Sequence, residues 1–232
     1  MIKELKRFYF KSKKGIWHLS PKVKCKYSWY GNDYGGFYVC DEILGENAIV
    51  YSFGIGLDIS FDRTMIERYG CQVFGFDPTP KSIQWVSEQV LPDGFTFFDF
   101  GIANKTGYVD FNLPKNPDYV SGSAVVHSDV DSSKKVSVLL KSLVDITESL
   151  GHQKIDVLKM DIEGFEYKVI DSILSSPVEI DQILIEFHDR FFDKGIECSK
   201  KAVQKLSEAG YDIFAVSDSF EEVSFIRRDL IK

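Results

Sequence analysis

Residues 155–166 read IDVLKMDIEGFE, an apolar stretch that ends in ionisable side chains. The apolar half is typical of a parallel strand that is covered on both faces. Asp161 and Glu163 follow it, and a second apolar stretch, QILIEFH at 182–188, ends in His188. Carboxylates and imidazoles beside a binding pocket are common proton-transfer groups, so these three residues are candidates for acid–base catalysis. A structural role at a strand end or a helix start is the alternative for Glu163 and His188.

The same two stretches contain a lysine and a glutamate that we expect to form a structural pair. Because side chains alternate along a strand, Lys159 and Asp161 share one face of the first stretch. Glu186 and His188 likewise share one face of the second. If the strands are neighbours with aligned ends, Lys159 lies beside Glu186 and Asp161 lies beside His188. A lone buried lysine is costly, which favours a Lys159–Glu186 ion pair that is structural rather than catalytic.

A glycine-containing turn and a later acid indicate a nucleoside site. After the apolar stretch AIVYSFG, Gly54 and Gly56 allow a ligand to approach the backbone closely, and a helix start follows with free N–H groups. Asp77 ends the next apolar stretch, where a carboxylate can bind a ribose diol or cap the following helix. The dinucleotide pattern GxGxxG fails because Ile59 occupies the third glycine position. This favours S-adenosylmethionine over NAD, and both stay open on these residues alone.

An alternation of strands and helices must position these groups. The predicted strands lie at 48–54, 71–77, 95–103, within 155–166, and at 182–188, 211–217 and 221–228. The predicted helices cover 60–69, 80–90, a segment from Ser142, 164–175, and 199–209 with Ser199 as N-cap. Short extra strands or an ordered loop occupy 104–135. The alternation predicts an α/β, Rossmann-like fold: a seven-stranded, mostly parallel sheet with an antiparallel last strand and helices on both faces.

The N-terminal part differs from the rest in charge. Residues 1–26 contain nine Lys/Arg and one acid out of chain totals of 28 and 35, so they carry +8 and the remainder −15. We expect residues 1–47 to form an irregular basic and aromatic extension that packs on a core domain at 48–232. Its aromatic residues favour folding back on the acidic body of the same or a neighbouring chain, which makes a homo-oligomer possible. A phosphate-rich partner or a membrane surface is the alternative.

Composition limits the remaining partners. The chain is 44% hydrophobic and 27% charged, which suffices for a sizeable folded core. No apolar run is long enough for a membrane span and no signal-peptide core follows the basic start, so we expect a cytoplasmic protein. The acidic body argues against nucleic-acid binding. The four cysteines are widely spaced, and we expect reduced, packed thiols rather than a zinc site or disulfides.

Four segments together resemble the FkbM-type methyltransferase family. VLKMDIEGFEYKVI is similar to the family's signature segment and is the most specific of the four. YSFGIGLDISFD stands at the glycine motif, where many members read DIGAN-like, and FGFDPTP stands at the acid motif. QILIEFH matches a late strand that ends in Glu-Phe/Leu-His. The resemblance covers about residues 48–228, and the turn YSFGI after GGFYVCD is similar to a subgroup of methyltransferase-like proteins.

The resemblance implies a class I methyltransferase fold. It also implies methyl transfer from S-adenosylmethionine to a hydroxyl oxygen of a sugar, a glycan or a small natural product. Gly54, Gly56 and Asp77 would bind the cofactor, and Asp58 would contact its methionine amino group. The other residues implied to line this pocket are apolar: Phe53, Ile55, Pro78, Ile102 and Ala103.

Methyl transfer to oxygen requires aligned reactants and a base that removes the hydroxyl proton. Our candidates for the base are Asp161, Glu163 and His188, with His188 slightly favoured. A divalent metal on the two carboxylates is an alternative that we disfavour, because the sequence offers no third ligand. We expect the acceptor to bind between 27–40 and 112–130. The candidate contacts are aromatic residues that plain packing would also explain: Tyr30, Tyr34, Phe37 and Tyr119.

Two other functions stay open. A Rossmann-like sheet also serves nicotinamide-dependent oxidoreductases, although the missing third glycine disfavours that class. A non-catalytic binding module could keep the fold, but the complete set of candidate residues disfavours it. Binding of NAD would support the first function. An Asp77→Ala variant with unchanged biological function would support the second.

Overall fold

The structure, a computed structural model, describes residues 2–116 and 122–231. Its helices are α1 (Ile2–Lys14), α2 (Ser60–Tyr69), α3 (Pro80–Ser87), α4 (Leu143–Leu150), α5 (Glu166–Leu174) and α6 (Gly195–Glu208). Its strands are β1 (Tyr27–Tyr30), β2 (Phe37–Cys40), β3 (Ile49–Phe53), β4 (Gln72–Phe76), β5 (Phe95–Phe98), β6 (Gly101–Ile102), β7 (Gly107–Pro114), β8 (Val130–Lys141), β9 (Lys154–Met160), β10 (Glu179–Glu186), β11 (Tyr211–Val216) and β12 (Glu222–Arg227). No helix in these two ranges has both the length and the apolar character needed to cross a bilayer.

Seven strands form the central sheet, in the order β11-β12-β10-β9-β3-β4-β5. Neighbouring strands from β10 to β5 run parallel. The last strand, β12, runs antiparallel between β10 and β11. The predicted mostly parallel sheet with an antiparallel last strand is confirmed.

The central strands explain how polar groups reach one edge of the sheet. β3 and β9 are neighbours in the middle of the sheet and are buried along most of their length, which accounts for their nearly continuous apolar sequences. Tyr51 and Leu158 belong to one core cluster, and Val50 and Val157 belong to the other. Because both strands are covered, ionisable residues emerge where the strands end.

The predicted helices are largely confirmed. α2 has the predicted bounds, and the hydroxyl of Ser142 caps α4 by accepting a hydrogen bond from the N–H of Asp145 (3.1 Å). α6 differs from the prediction, because it begins at Gly195 rather than at Ser199. The hydroxyl of Ser199 lies inside the helix and donates to Asp189 (2.6 Å), so it does not cap the N-terminus.

The segment 104–135 belongs largely to a second sheet, with the order β6-β8-β7. β7 and β8 pair antiparallel along most of their length. The predicted strand at 95–103 is divided between β5 in the central sheet and β6 in this second sheet. Phe111 and Leu140 from the second sheet join the main core. The insertion is therefore part of the folded body.

The N-terminal segment is more regular than predicted, since it contains α1 and the antiparallel pair β1–β2. The guanidinium of Arg7 donates to the carbonyls of Val216 and Ser217 (3.0 Å each). Phe10 stacks on Phe220 with ring centroids 5.3 Å apart. The prediction of an irregular backbone was wrong, because the segment contains a helix and two paired strands. α1 packs on its own chain, beside the end of β11.

Candidate active site

A cavity of about 760 Å³ lies at the carboxyl ends of β3, β4 and β9. Its volume is in the usual range of small-molecule sites. The described residues that line it include the predicted acceptor contact Tyr34 and most of the predicted cofactor and catalytic residues: Phe53, Gly54, Ile55, Gly56, Asp58, Asp77, Pro78, Ile102, Asp161 and Glu163. The fold therefore brings together residues that are distant in the sequence.

Two glycines shape the turn after β3. Gly54 has φ +84°, and a Cβ on it would lie 1.7 Å from the carbonyl oxygen of Asp161. Only glycine allows the ends of β3 and β9 to approach so closely. Gly56 has φ +57°, but a Cβ there would meet no atom within 4 Å. Its open side leaves room for a ligand at the cavity wall.

Asp77 is buried after β4, where its carboxylate holds the turn after β3. It accepts hydrogen bonds from the N–H of Gly56 (2.8 Å) and from the N–H and hydroxyl of Thr79 (2.8 and 2.6 Å). Burial raises the pKa of Asp77, and these hydrogen bonds oppose that shift. A carboxylate offers about four acceptor positions, so Asp77 keeps capacity for a ligand hydroxyl. Its bonds to the protein and a contact with ribose are therefore compatible.

Asp58 lines the same cavity but is tied to the neighbouring loops. Its carboxylate accepts hydrogen bonds from the side-chain amide of Asn32 (2.9 Å) and from the N–H and hydroxyl of Ser60 (3.0 and 2.8 Å). Asp58 thus joins the β1–β2 connection to the start of α2. Its contact with the amino group of a cofactor stays a prediction.

The catalytic candidates form one cluster around His188, which is 1% exposed. Nδ1 of His188 lies 2.8 Å from Oε1 of Glu166. Nε2 faces three further carboxylates, those of Glu163 and Glu186 at 3.5 Å and that of Asp161 at 3.7 Å. Four carboxylates therefore surround one imidazole beyond the ends of β9 and β10.

The carboxylates determine the charge of His188. Burial by itself lowers its pKa, but the carboxylates, Glu166 foremost, outweigh burial and raise the pKa of His188 to about 10. Burial and the charge of Asp161 raise the pKa of Glu186 well above its usual range. Both shifts retain protons in the cluster at neutral pH. A protonated imidazole has no free lone pair, which argues against His188 as the base and favours Asp161 and Glu163, the two that line the cavity.

Glu166 is a buried member of the cluster that we did not assign to the site from sequence. Its Oε1 also accepts hydrogen bonds from the N–H groups of Ile162 (3.1 Å) and Gly164 (3.3 Å). Glu166 thereby holds the loop between β9 and α5 against His188. In this loop Glu163 has φ +54°, a left-handed conformation that is uncommon outside glycine. An acidic residue in the first turn of a helix is common, so the sequence alone did not distinguish Glu166 from an ordinary helix start.

The predicted Lys159–Glu186 ion pair is wrong, because the register of β9 and β10 differs from the assumed one. Lys159 lies opposite Leu184, two residues before Glu186. Its ammonium group donates to the carbonyl of Gly54 (3.2 Å). Its positive charge also acts on the buried carboxyl group of Asp62. Burial raises the pKa of Asp62 to about 6, and the charge of Lys159 opposes that shift. The observed register places Glu186 level with Asp161, the residue after β9, so Glu186 belongs to the carboxylate cluster around His188.

Three members of the cluster also have the spacing of a metal site. Asp161, Glu186 and His188 each offer one atom, and these atoms all lie within 4.8 Å of one another. From the sequence we found no third ligand, because the assumed register assigned Glu186 to Lys159. The structure supplies the residues that a metal-assisted mechanism would need.

Aromatic and basic side chains form the outer part of the cavity. Tyr34 lines it and is 88% exposed. Phe191 stacks with two imidazoles, at centroid distances of 3.7 Å from His127 and 5.0 Å from His188. Arg190 lines the same cavity. Arg190 and Phe191 were not predicted as site residues, although their place directly after the strand that leads to His188 was a usable signal.

Three predicted ligand contacts lie elsewhere. Tyr30 is buried, with its hydroxyl donating to Asp41 (2.7 Å). Phe37 is packed in the core at 1% exposure, and Ala103 is buried beside the second sheet. None of the three is among the residues that line the cavity. An apolar or aromatic residue near a site motif carries no mark in the sequence of the direction in which its side chain points. Tyr119 lies outside the described residues.

The chain is similar in sequence to a methyltransferase family and to methyltransferase-like proteins. The model of the methyltransferase FkbM domain matches residues 50–213. The chain is 24% identical over 205 residues to the probable methyltransferase-like protein 24 of Homo sapiens and 25% identical over 205 residues to that of Rattus norvegicus. Each alignment covers 84% of this chain and 50% of the relative, so the chain spans about half the length of the curated relatives it matches.

Among solved structures, the chain is similar to the Methanococcus jannaschii fibrillarin pre-rRNA processing protein. The sequence identity is 12%, the TM-score is 0.48, and the match covers 79% of this chain and 68% of that chain. The fold assignment itself rests on the strand order of the central sheet.

Proposed function

The chain belongs to the FkbM family of S-adenosylmethionine-dependent methyltransferases, and we propose that it transfers a methyl group to a hydroxyl oxygen of a sugar, a glycan or a small natural product. The reaction on oxygen and the class of acceptor extend the family assignment. The family match over residues 50–213 supports a methyltransferase much more than it supports a nicotinamide-dependent oxidoreductase or a non-catalytic binding module.

The observation that carries the proposal is the position of Asp161 beside the glycine turn. Its N–H donates to the carbonyl of Phe53 (3.0 Å), and its own carbonyl lies against Gly54. Its side chain is 28% exposed and lines the cavity. The backbone of Asp161 is therefore held directly against the turn that we expect to bind the cofactor, and its carboxylate lies beside that turn.

The residues around that turn fit S-adenosylmethionine. Gly56 has open space on the side where a Cβ would stand, and Asp77 keeps acceptor capacity for a ribose hydroxyl. Ile55 and Ile102 supply apolar walls for an adenine ring. Bound there, S-adenosylmethionine would supply an electrophilic methyl group on a sulfonium centre.

Asp161 acts as the proton acceptor in this proposal. A neutral hydroxyl is a weak nucleophile, so its proton must leave as the new bond forms. The acceptor oxygen bonds to the methyl carbon while the carbon–sulfur bond breaks, and the hydroxyl proton moves to the carboxylate of Asp161. Glu163, which lines the same wall, hydrogen-bonds the acceptor and keeps it in line.

His188 and Glu166 act as positioning residues. The imidazolium of His188 lies between the carboxylates and attracts them, so that Asp161 and Glu163 stay close together despite their like charges. Glu166 fixes His188 through Nδ1. In this proposal the partly exposed carboxylates of Asp161 and Glu163 contact the acceptor, and the buried pair of His188 and Glu166 holds them in position.

The outer part of the cavity supports a sugar-like acceptor. The exposed ring of Tyr34 suits stacking on the apolar face of a pyranose. The side-chain amide of Asn32 and the guanidinium of Arg190 provide hydrogen-bond donors beside it. Such a combination of a flat apolar surface and polar groups matches a molecule rich in hydroxyl groups.

The proposal is tested by identifying the methylated product. The protein is incubated with methyl-labelled S-adenosylmethionine and with pools of monosaccharides, glycans and hydroxylated natural products. We expect label in a methyl ether, located by fragmentation in mass spectrometry. Label on nitrogen or carbon would contradict transfer to oxygen, and label only on acceptors without hydroxyl groups would contradict the acceptor class.

A metal-assisted form of the same reaction is the second candidate, favoured by the 4.8 Å spacing of Asp161, Glu186 and His188. A divalent cation there would lower the pKa of the acceptor hydroxyl in place of a protein base. Treatment with a chelator separates the two routes. Activity that is lost and then restored by one divalent metal supports this candidate, whereas unchanged activity supports Asp161 as the base.

A further inference from the structure

The outer face of α1 is an exposed hydrophobic surface. Leu5, Phe8 and Tyr9 are 64%, 62% and 68% exposed, and Trp17, shortly after the helix, is 47% exposed. The rings of Phe8 and Trp17 meet edge to face, with centroids 5.1 Å apart. We call these four residues the aromatic face. Four of the eleven large hydrophobic side chains exposed by the described residues lie in this short segment, and such clustering marks an interaction surface.

The opposite face of α1 already has its partners. Arg7 donates to the carbonyls at the end of β11, and Phe10 stacks on Phe220. The ammonium group of Lys11 donates to the hydroxyl of Ser20 (2.8 Å). Positions 5, 8 and 9 share the other side of the helix, since residues three and four apart are neighbours on its surface. The aromatic face is therefore turned away from the body.

Basic side chains flank the aromatic face. Lys6 and Lys13 are exposed on the same helix. The segment 1–26 carries +8 against −15 for the rest of the chain, so positive charge is concentrated at this end of the molecule. A helix with Leu and aromatic residues on one face and lysines beside it is typical of segments that lie in the interface of an anionic membrane. Tyr and Trp favour that boundary because each has an apolar body and a polar tip.

The helix lies at the edge of the central sheet that also holds the cavity. β10 and β11 both run antiparallel to β12, so they end at the same edge. α1 packs beside the loop that follows β11. In that loop Glu221 accepts a hydrogen bond from the cavity residue Arg190 (3.0 Å). A surface bound by α1 would therefore lie on the same side of the molecule as the cavity.

We propose that the aromatic face of α1 docks the protein on an anionic phospholipid bilayer. Headgroup phosphates and carboxylates pair with Lys6 and Lys13, while the aromatic face enters the boundary between headgroups and acyl chains. Pairing of two aromatic faces in a dimer would bring the lysines of both copies together, which charge repulsion disfavours. The proposal concerns binding alone and does not depend on the proposed methyl transfer.

The test is sedimentation with vesicles of phosphatidylcholine alone or mixed with phosphatidylserine. We expect the wild-type chain to bind the mixed vesicles, and we expect binding to weaken as salt is raised. Leu5→Ser combined with Phe8→Ser should weaken binding about tenfold or more, and Lys6→Glu combined with Lys13→Glu should have a similar effect. Tyr108→Ser is the matched control, since Tyr108 is 76% exposed but lies on β7, and it should bind like wild type.

Circular dichroism and binding of S-adenosylhomocysteine establish that each variant is folded, which is expected because the changed side chains are exposed. Absence of wild-type binding to both kinds of vesicle would overturn the proposal. So would equal binding by wild type and the Leu5→Ser/Phe8→Ser variant. Sedimentation velocity that finds a wild-type dimer, dissociated by that variant, together with no vesicle binding, would show that a second copy is the occupant.

Discussion

Asp161 and His188 are close neighbours with different surroundings, and we propose a different task for each. The side chain of Asp161 is 28% exposed and lines the cavity, whereas His188 is 1% exposed behind it. The carboxylates around His188 raise its pKa and keep it charged at neutral pH. A charged, buried imidazole positions neighbouring groups, and an exposed carboxylate can accept a proton. The difference in burial is therefore the basis of the two roles that we propose, a base for Asp161 and a positioning residue for His188.

Replacement of Asp161 by asparagine tests its assignment as the base. In the Asp161→Asn variant the amide keeps the shape of the side chain but cannot accept the hydroxyl proton, so we expect kcat to fall about 100- to 10,000-fold. The affinity for S-adenosylhomocysteine should stay nearly unchanged. Steady-state kinetics and calorimetry measure the two quantities.

The matched control for this change is Asp129→Asn. Asp129 lines the same cavity, but its side chain is 64% exposed and it lies in the second-sheet insertion. We expect kcat within a few-fold of wild type. Equal loss of kcat in both variants would contradict a specific role for Asp161.

Removal of Glu166 tests the buried positioning pair. Glu166→Ala leaves the charged imidazole of His188 without its closest partner, and we expect the free energy of unfolding to fall by about 3–5 kcal/mol. Glu166→Gln retains an oxygen for the N–H groups of Ile162 and Gly164 and should lose less. Urea denaturation measures both, with the exposed Glu208→Ala on α6 as a control of nearly unchanged stability. A wild-type-like Glu166→Ala variant would contradict this role.

The sequence predicted the position of site residues where strand ends determine it. Gly54, Gly56, Asp77, Asp161 and Glu163 line the cavity because each follows a parallel strand, and parallel strands end at one edge. The partners of His188 could not be predicted in the same way. They depend on the register between β9 and β10, and a shift of two residues exchanges one set of neighbours for another.

At the scale of elements, the turn after β3 makes a pair of contrasting predictions. A Cβ at position 54 would collide with the carbonyl of Asp161, so Gly54→Ala should prevent β3 and β9 from closing and should sharply lower Tm or abolish folding. In Gly56→Ala the added methyl group would meet no atom, so the free energy of unfolding should fall only by the cost of the left-handed backbone, about 1–2 kcal/mol. The added methyl should nevertheless weaken binding of S-adenosylhomocysteine.

Thermal unfolding and calorimetry measure these two variants. The expected order is a severe folding defect at position 54 and a binding defect with a retained fold at position 56. The account of this turn would be contradicted by a stable Gly54→Ala protein, or by a Gly56→Ala protein that binds as tightly as wild type.

The contact between the segment after α1 and α6 predicts a pH dependence of stability. His18 Nε2 lies 2.9 Å from the hydroxyl of Ser199, which donates its own proton to Asp189. Burial, and to a smaller extent Lys200, lowers the pKa of His18 to about 4. The unfolded chain therefore binds this proton more tightly than the folded chain. The stability contributed by His18 is fully present above its unfolded pKa of about 6.5 and is lost as pH falls towards about 4.

Comparison of wild type with His18→Gln isolates that contribution. We expect the difference in urea midpoint between the two proteins to be largest near pH 7.5 and to shrink as the pH is lowered through the range between the two pKa values. The subtraction removes the effect of other titrating groups. A difference that does not vary with pH would show that His18 titrates equally in the folded and unfolded chains.

Elements with clear periodicity or caps were predicted well, and those without were not. The strands of the central sheet have nearly continuous apolar runs, and α4 begins with a serine N-cap. α1 was missed because its sequence is dominated by basic residues, although Leu5, Phe8 and Tyr9 have the spacing of one helix face. The start of α6 was missed because Ser199 looks like a cap in sequence, whereas in space it bonds to Asp189.

At the scale of the whole molecule, the sheet edge that holds the cavity also holds α1. The mostly parallel sheet with an antiparallel last strand follows from the alternation of strands and helices together with the final hairpin, which is why this architecture could be predicted. The packing of α1 beside β11 could not be predicted, since it depends on contacts between residues about 210 positions apart. In the docking that we propose, the basic, aromatic helix beside an acidic body would orient the molecule relative to a negatively charged surface.

The central claim is that the cavity at the ends of β3, β4 and β9 binds S-adenosylmethionine, and calorimetric titration with S-adenosylhomocysteine tests it most directly. We predict that wild type binds and that Asp77→Asn binds at least about tenfold more weakly, because the charged acceptor for the ribose is lost. Asp171→Asn, on the surface at 66% side-chain exposure, should bind like wild type. Absence of binding to wild type, or equal binding by Asp77→Asn and wild type, would contradict the account.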